Sequence, residues 1–186
     1  MRYGFVGRGE TLPPGRAVFA QQIHQDKIGD VETADAERRE IAGCDALATR
    51  QKNLLLVVKT ADCAPLLFYD AVTETIAAVH AGRAGTELGL AGKTVAHLVR
   101  RYAVEPANLR VIMGPAICVH CYQIDRDRDR HYDLWAENKK QLTAAGVQNI
   151  ENTGLCTACH AHDRFYSYRR ERTALRNFAY IALEPL

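Results

Sequence analysis

Leu66-Leu67-Phe68-Tyr69-Asp70 and Thr75-Ile76-Ala77-Ala78-Val79-His80, joined by Ala71-Val72-Thr73-Glu74, are the stretch that decides the fold. Two short apolar runs separated by four residues predict an antiparallel hairpin. Upstream, Leu54 to Val58 is apolar, β-branched at its end and short, the pattern of a buried strand. Downstream, Leu88, Ala91, Val95, Leu98 and Tyr102 form a helical stripe over Glu87 to Tyr102 that suits packing on a sheet. Further out, strands are expected at Met1 to Val6, near Ala17, at Leu109 to Met113 and at Phe178 to Leu183. A second helix is expected over Tyr132 to Ala145, stopped by Gly146. Interleaved strands and helices indicate an α/β or α+β domain, and the hairpin argues against a purely parallel sheet.

Composition limits the function classes. A chain of 186 residues is long enough for one domain that buries roughly 70% of its unfolded surface, so residues 1–186 are read as a single domain. Formal net charge is only +2, and the charges alternate in Asp125-Arg126-Asp127-Arg128-Asp129-Arg130, a solvated run and no basic stripe. Nucleic acid is therefore rejected as the main partner. No run approaches 18 apolar residues and no leader pattern opens the chain, so no membrane partner is expected and the cytoplasm is the expected location. In that reducing compartment the six cysteines are read as thiols or metal ligands. The oligomeric state is not legible.

Chemistry concentrates at three breaks after apolar runs. His80 ends a strand and opens the glycine-rich turn Ala81-Gly82-Arg83-Ala84-Gly85, Cys63 lies in Thr60-Ala61-Asp62-Cys63-Ala64-Pro65, and His24 follows Gln21-Gln22-Ile23. One thiolate and two imidazoles suit a borderline-soft divalent ion, and three protein ligands leave a position open for water or substrate, the pattern of catalytic zinc. Spacing alone leaves open that the three have separate structural jobs.

Gln22-Ile23-His24, Thr60 to Pro65, His80-Ala81-Gly82 with Gly85, Met113-Gly114-Pro115-Ala116-Ile117, Cys121-Tyr122, Cys156-Thr157 and Phe165-Tyr166-Ser167-Tyr168-Arg169-Arg170 occur in that order. As an ordered set they resemble the YfiH/laccase-domain family, known variously as polyphenol oxidase-like, laccase-domain and purine nucleoside phosphorylase proteins. The resemblance runs from about His24 to the C-terminus. It implies a layered α/β/β/α fold of α+β class with mixed sheets, and a metal, usually zinc, on His24, Cys63 and His80. It also implies purine nucleosides and phosphate as small-molecule partners, with phosphorolysis or adenosine deamination as the reaction. Phosphate calls for planar guanidinium donors. Arg83 is the first candidate because it shares a loop with His80, followed by Arg169, Arg170 and Arg176. Asp62 is expected to orient a ligand, accept a proton or fix the turn, and Tyr122 to stack on a base or pack in the core.

Three departures bear on the pocket. Family chains read His-Ala-Gly-Trp-Arg-Gly where this chain has Arg83 and Ala84 after Gly82. A Ser-x-Asn-Leu-like string carried by family N-terminal segments has no counterpart between Met1 and Gln21, and the terminal Thr-Gly-Arg is here Thr173-Ala174-Leu175-Arg176. These changes touch substrate binding more than metal binding.

Rival readings share the same residues. Cys63 as nucleophile with His80 as base would make a cysteine hydrolase, for example on the amide of a miscoupled cell-wall precursor, and loss of pocket elements would leave a non-catalytic metal-binding protein. Copper is the weaker choice of metal, because a multicopper site needs many more histidines than the seven present. Cys118-x-x-Cys121 and Cys156-x-x-Cys159 invite a four-thiolate zinc reading, but the 34 residues between the pairs are many for a zinc ribbon. Cys156-Thr157-Ala158-Cys159-His160 also matches the c-type haem attachment pattern, without the export context that covalent haem requires.

Overall fold

The computed structural model describes residues 1–33 and 38–184. Part of the acidic stretch Gly29 to Glu40, read as exposed, lies outside the described residues. The hairpin is present: β7 (Ala64–Asp70) pairs antiparallel with β8 (Thr75–Ala81) from Ala64↔Ala81 to Asp70↔Thr75. Both strands are almost wholly buried, which is why each is apolar on both faces and shows no polar alternation.

Two mixed sheets build the domain. The first has the order β1 (Arg2–Val6), β13 (Asn177–Ala182), β6 (Leu54–Thr60), β2 (Arg16–Gln21) and β4 (Arg38–Ala42). The second has β12 (Asn149–Asn152), β9 (Arg110–Met113), β7, β8, β5 (Ala46–Thr49) and β3 (Ile28–Asp30). Val18, Leu54, Leu56 and Val58 of the first meet Leu47, Leu67, Ile76 and Ala78 of the second in one buried cluster, so the sheets pack face to face. The other face of the second sheet, with Leu66, Phe68 and Val79, is covered by α2 (Leu90–Tyr102) and α3 (Leu134–Ala144). Phe19, Phe178 and Tyr180 line the outer face of the first sheet, with Leu12 against them. This is the mixed-sheet α+β arrangement expected.

The helix expected over Glu87 to Tyr102 is present as α2, starting later at Leu90, and a separate short helix precedes it. α1 (Arg83–Glu87) ends, Gly89 takes φ +82°, and α2 begins at Leu90. A left-handed residue cannot continue a right-handed helix, and glycine adopts it without a Cβ clash. The alternating-charge run forms the turn of a small ribbon, β10 (Gln123–Asp125) with β11 (Arg130–His131). His97 bonds Asp30 through Nε2 at 2.8 Å, a boundary role as expected.

One crossover matters later. β9 leads through α3 to β12, which lies parallel beside it with Arg110↔Asn149 and Met113↔Asn152 in register. The loops leaving both strands therefore start side by side, and an isolated bridge pairs Ala116 with Cys156.

Candidate functional site

The turn Ala61–Cys63 carries the chain from β6 in one sheet to β7 in the other, so Cys63 stands at a corner between the sheets. His80 is the penultimate residue of β8, opposite Pro65 in the hairpin register. His24 follows β2 with φ 60°. The donor atoms of His24, Cys63 and His80 lie within 4.8 Å of one another, and the two imidazole rings meet edge to face with centroids 4.9 Å apart. His80 is buried, Cys63 half-buried and His24 exposed, so the triangle has one open side.

Asp45, just before β5, organises this triangle and was not singled out by the sequence. Its carboxylate is 0% exposed. Oδ2 accepts from the backbone N–H of Ile23 and of Gln25, both at 3.0 Å. Oδ1 accepts from the N–H of His24 at 3.0 Å and from His80 Nδ1 at 2.8 Å. One carboxylate thus fixes the His24 loop in its left-handed conformation and turns His80 Nε2 towards Cys63. A carboxylate behind an imidazole is the usual support of a histidine metal ligand. The only sequence signal was an acid immediately before a buried strand, which carries no motif.

Gly82 is the second residue whose role spacing did not reveal. A Cβ there would stand 2.9 Å from Cys63 Sγ and 3.4 Å from His24 Cδ2. The glycine lets the turn into α1 close over the thiol.

The electrostatics follow from this packing. Burial opposes a thiolate at Cys63, but the His80 and His24 imidazoles outweigh it and hold the thiol down at about 6. Burial likewise opposes charge on His80, yet Cys63 and Asp45 raise it to about 9. Both shifts favour the thiolate–imidazolium form of the pair, and a cation placed between them would take over the role of that proton. The donor set, the supporting carboxylate and the open side all fit a zinc ion with three protein ligands.

The open side faces a cavity of about 860 Å³. Of the predicted substrate residues, Asp62, Tyr122, Arg169 and Arg176 line it. Asp62 has φ 88°, and its carboxylate accepts from Thr157 Oγ1 at 2.8 Å and from the Arg169 N–H at 2.6 Å. It ties three segments together at the thiol turn. Arg169 lies over the Tyr122 ring, 5.3 Å from its centroid, and donates to Gln123 O at 2.8 Å. Arg176 donates to Thr173 O and Leu175 O. Lys59 and Arg172 also line the cavity and carried no motif. Arg83 and Arg170 are not among the lining residues: Arg83 pairs with Glu87 at 3.4 Å, and Arg170 reaches Ala158 O at 3.4 Å.

The chain matches the family model described as multi-copper polyphenol oxidoreductase laccase over residues 6–131 and 125–184. It belongs to this laccase-domain family. Among its relatives in the laccase-domain family is a purine nucleoside phosphorylase of Corynebacterium glutamicum, 31% identical over 183 residues, covering 89% of this chain and 73% of that one. Another is an adenosine deaminase from an unknown prokaryotic organism, 30% identical over 183 residues, 82% of this chain and 66% of that protein. The crystal structure of YlmD from Geobacillus stearothermophilus superposes with a TM-score of 0.82 at 32% identity, covering 93% of this chain and 75% of that chain. That of the hypothetical protein YfiH from Bacillus licheniformis gives 0.81 at 33% identity, with 90% and 74% covered.

Proposed function

We propose that this chain is a zinc-dependent purine nucleoside enzyme whose main reaction is phosphorolysis of the glycosidic bond. The observation that carries the reading is the His24–Cys63–His80 triangle opening onto a cavity that also holds Arg169, Arg172 and Arg176. The names of the relatives support the substrate class: one is a purine nucleoside phosphorylase, another an adenosine deaminase. His24, Cys63 and His80 would hold the ion. When bound, zinc supplies Lewis-acid polarisation at neutral pH. Zinc is preferred to copper because a single three-ligand Cys/His site is not a multicopper centre.

The chain's own residues do the rest. Arg169 and Arg176 are held by backbone carbonyls, and Arg169 and Arg172 by the rings of Tyr122 and Tyr168. These contacts fix the guanidiniums without neutralising them, leaving planar donors for phosphate. They take precedence over Arg83, which is not among the cavity's lining residues, although it pairs with exposed Glu87 and also interacts with Tyr122 at the cavity wall. Tyr122, at the cavity wall, offers a ring face to a base. Asp62 holds the backbone of Arg169 beside the thiol turn and so fixes where that residue stands relative to Cys63. Asp45 keeps His80 in the tautomer that presents Nε2.

A second reading has its own observation. Cys63, His80 and Asp45 also stand in the order nucleophile, base and orienting carboxylate of a cysteine hydrolase. Mass-spectrometric product analysis of the protein with adenosine and inosine, with and without phosphate and beside Cys63→Ala, separates the readings. Free base and ribose 1-phosphate formed only with phosphate supports phosphorolysis, and inosine from adenosine without phosphate moves the assignment to deamination. No product above the control overturns the nucleoside reading in favour of the hydrolase or a non-catalytic metal-binding protein.

A further inference from the structure

We propose that Cys118, Cys121, Cys156 and Cys159 form a second metal site, a structural zinc tetrathiolate separate from the His24–Cys63–His80 triangle. The four sulfurs lie within 4.8 Å of one another, with Cys118 and Cys159 at 3.9 Å. Zn–S bonds of about 2.3 Å in a tetrahedron put the sulfurs about 3.8 Å apart, so the cage has the size of a single ion. The thiols are free, and a disulfide between Cys118 and Cys159 would need their sulfurs at about 2.05 Å.

The spacing argument against this site fails for a topological reason. The 34 residues between the pairs are one complete crossover, β9 to α3 to parallel β12, and parallel strands deliver their exits to the same end of the sheet. Ala116 and Cys156 bridge, Ala116 N–H donates to Leu155 O and Thr157 N–H to Ala116 O, both at 3.1 Å. Each Cys-x-x-Cys then lies at a tight turn: Cys121 N–H donates to Cys118 O at 3.0 Å, and the turn from Thr157 follows directly on the bridge residue Cys156 and carries Cys159. Cys118 N–H donates to Cys156 Sγ at 3.3 Å, and His160 Nδ1 stands 3.1 Å from Cys159 Sγ, where the Nδ1–H tautomer, with Nε2 accepting from Cys156 N–H, would donate to a thiolate. The haem-like string therefore belongs to this cage, with His160 behind Cys159.

The cage also has work to do in the fold. Residues 157–164 are almost entirely turns, with neither helix nor strand to fix them. Ile117 N–H donates to Asp62 O at 2.9 Å, and Thr157 Oγ1 to Asp62 Oδ1 at 2.8 Å. Each bond comes from a residue adjoining a cage cysteine. An ion in the cage would pin both loops and, through Asp62, the turn that carries Cys63.

Metal analysis of the full chain purified under reducing conditions tests the site. Two zinc ions per chain are expected, one remaining in Cys63→Ala and one in the Cys118→Ser, Cys159→Ser double variant. Cobalt exchanged into Cys63→Ala should show the strong thiolate charge-transfer and tetrahedral d–d bands of four-sulfur ligation. Native-state thiol labelling covers the case in which the double variant does not fold. The four cysteines should be protected in the zinc-loaded protein and react together when a chelator removes the ion. A single zinc in the parent with none in Cys63→Ala, four thiols that label without chelation, a disulfide between the pairs, or iron with labile sulfide would each overturn the proposal.

Discussion

Asp45→Asn is the perturbation with the largest consequence for its size. The side chain keeps its shape and loses one acceptor atom. Each carboxylate oxygen accepts two bonds, Oδ1 from His24 N–H and His80 Nδ1, Oδ2 from Ile23 and Gln25 N–H. Whichever way the amide is turned, its NH2 faces two donors. A buried donor left without a partner costs roughly 1–3 kcal/mol, and since His80 is buried while Ile23, His24 and Gln25 lie on an exposed turn that water can reach, the metal-free protein should lose about 1–3 kcal/mol of stability. Loss of a carboxylate supporting a metal-bound histidine typically weakens metal affinity about 10–100-fold. Urea denaturation of the chelator-treated protein measures the first effect, and zinc competition against a chromophoric chelator the second. The pH dependence gives an independent check. Burial opposes the charge on Asp45, but His80 and the backbone donors outweigh it and hold the carboxyl below its ordinary range. Its stabilisation is therefore complete above the unfolded value of about 3.9 and is lost as pH falls through the lower folded value. The gap between parent and Asn variant should be constant from about pH 5 to 7 and narrow in stronger acid. A metal-free Asn variant within about 0.5 kcal/mol of the parent, with unchanged zinc affinity, would refute the role given to Asp45.

Two further predictions concern the same cavity. Gly82→Ala puts a methyl group 2.9 Å from Cys63 Sγ. It should lower zinc affinity at least about 10-fold, read by chelator competition, while circular dichroism stays that of the parent, because φ −73° at Gly82 suits alanine. Arg169→Ala and Arg176→Ala should each raise the KM for phosphate about 10-fold in nucleoside phosphorolysis, the scale of one lost charge-assisted hydrogen bond. Any phosphate-independent deamination should be spared, and equal losses in both reactions would remove the phosphate role.

The hairpin, the buried strands and both long helices were legible because each is a local pattern of apolar residues with a recognisable stop. Gly89 shows the limit of that reading: Leu88 fits the apolar stripe, but the positive φ of Gly89 leaves it outside α2, which begins at Leu90. Cys63, His24 and His80 were legible because each sits at a break after an apolar run. Asp45 was not, since its four partners come from segments 20 and more residues away and leave no spacing to read. The arginines were legible as a class but not individually. Whether a guanidinium faces the cavity depends on neighbours such as Glu87 beside Arg83, or Tyr122 under Arg169. That the two Cys-x-x-Cys pairs meet was not legible, because separation along the chain gives no measure of distance in space when a parallel crossover returns the chain to the same end of the sheet.

The strand order of the first sheet carries a consequence for biosynthesis. β13, formed from Asn177–Ala182, lies between β1 and β6 and pairs with both, although those strands are complete by Thr60. Until Asn177–Ala182 has been synthesised, β1 has no partner strand among the described residues and β6 presents a row of unpaired amides and carbonyls beside the Cys63 turn. Such an edge is a template for association with other chains. A chain truncated before Asn177 is therefore expected to associate through the uncovered edge of β6.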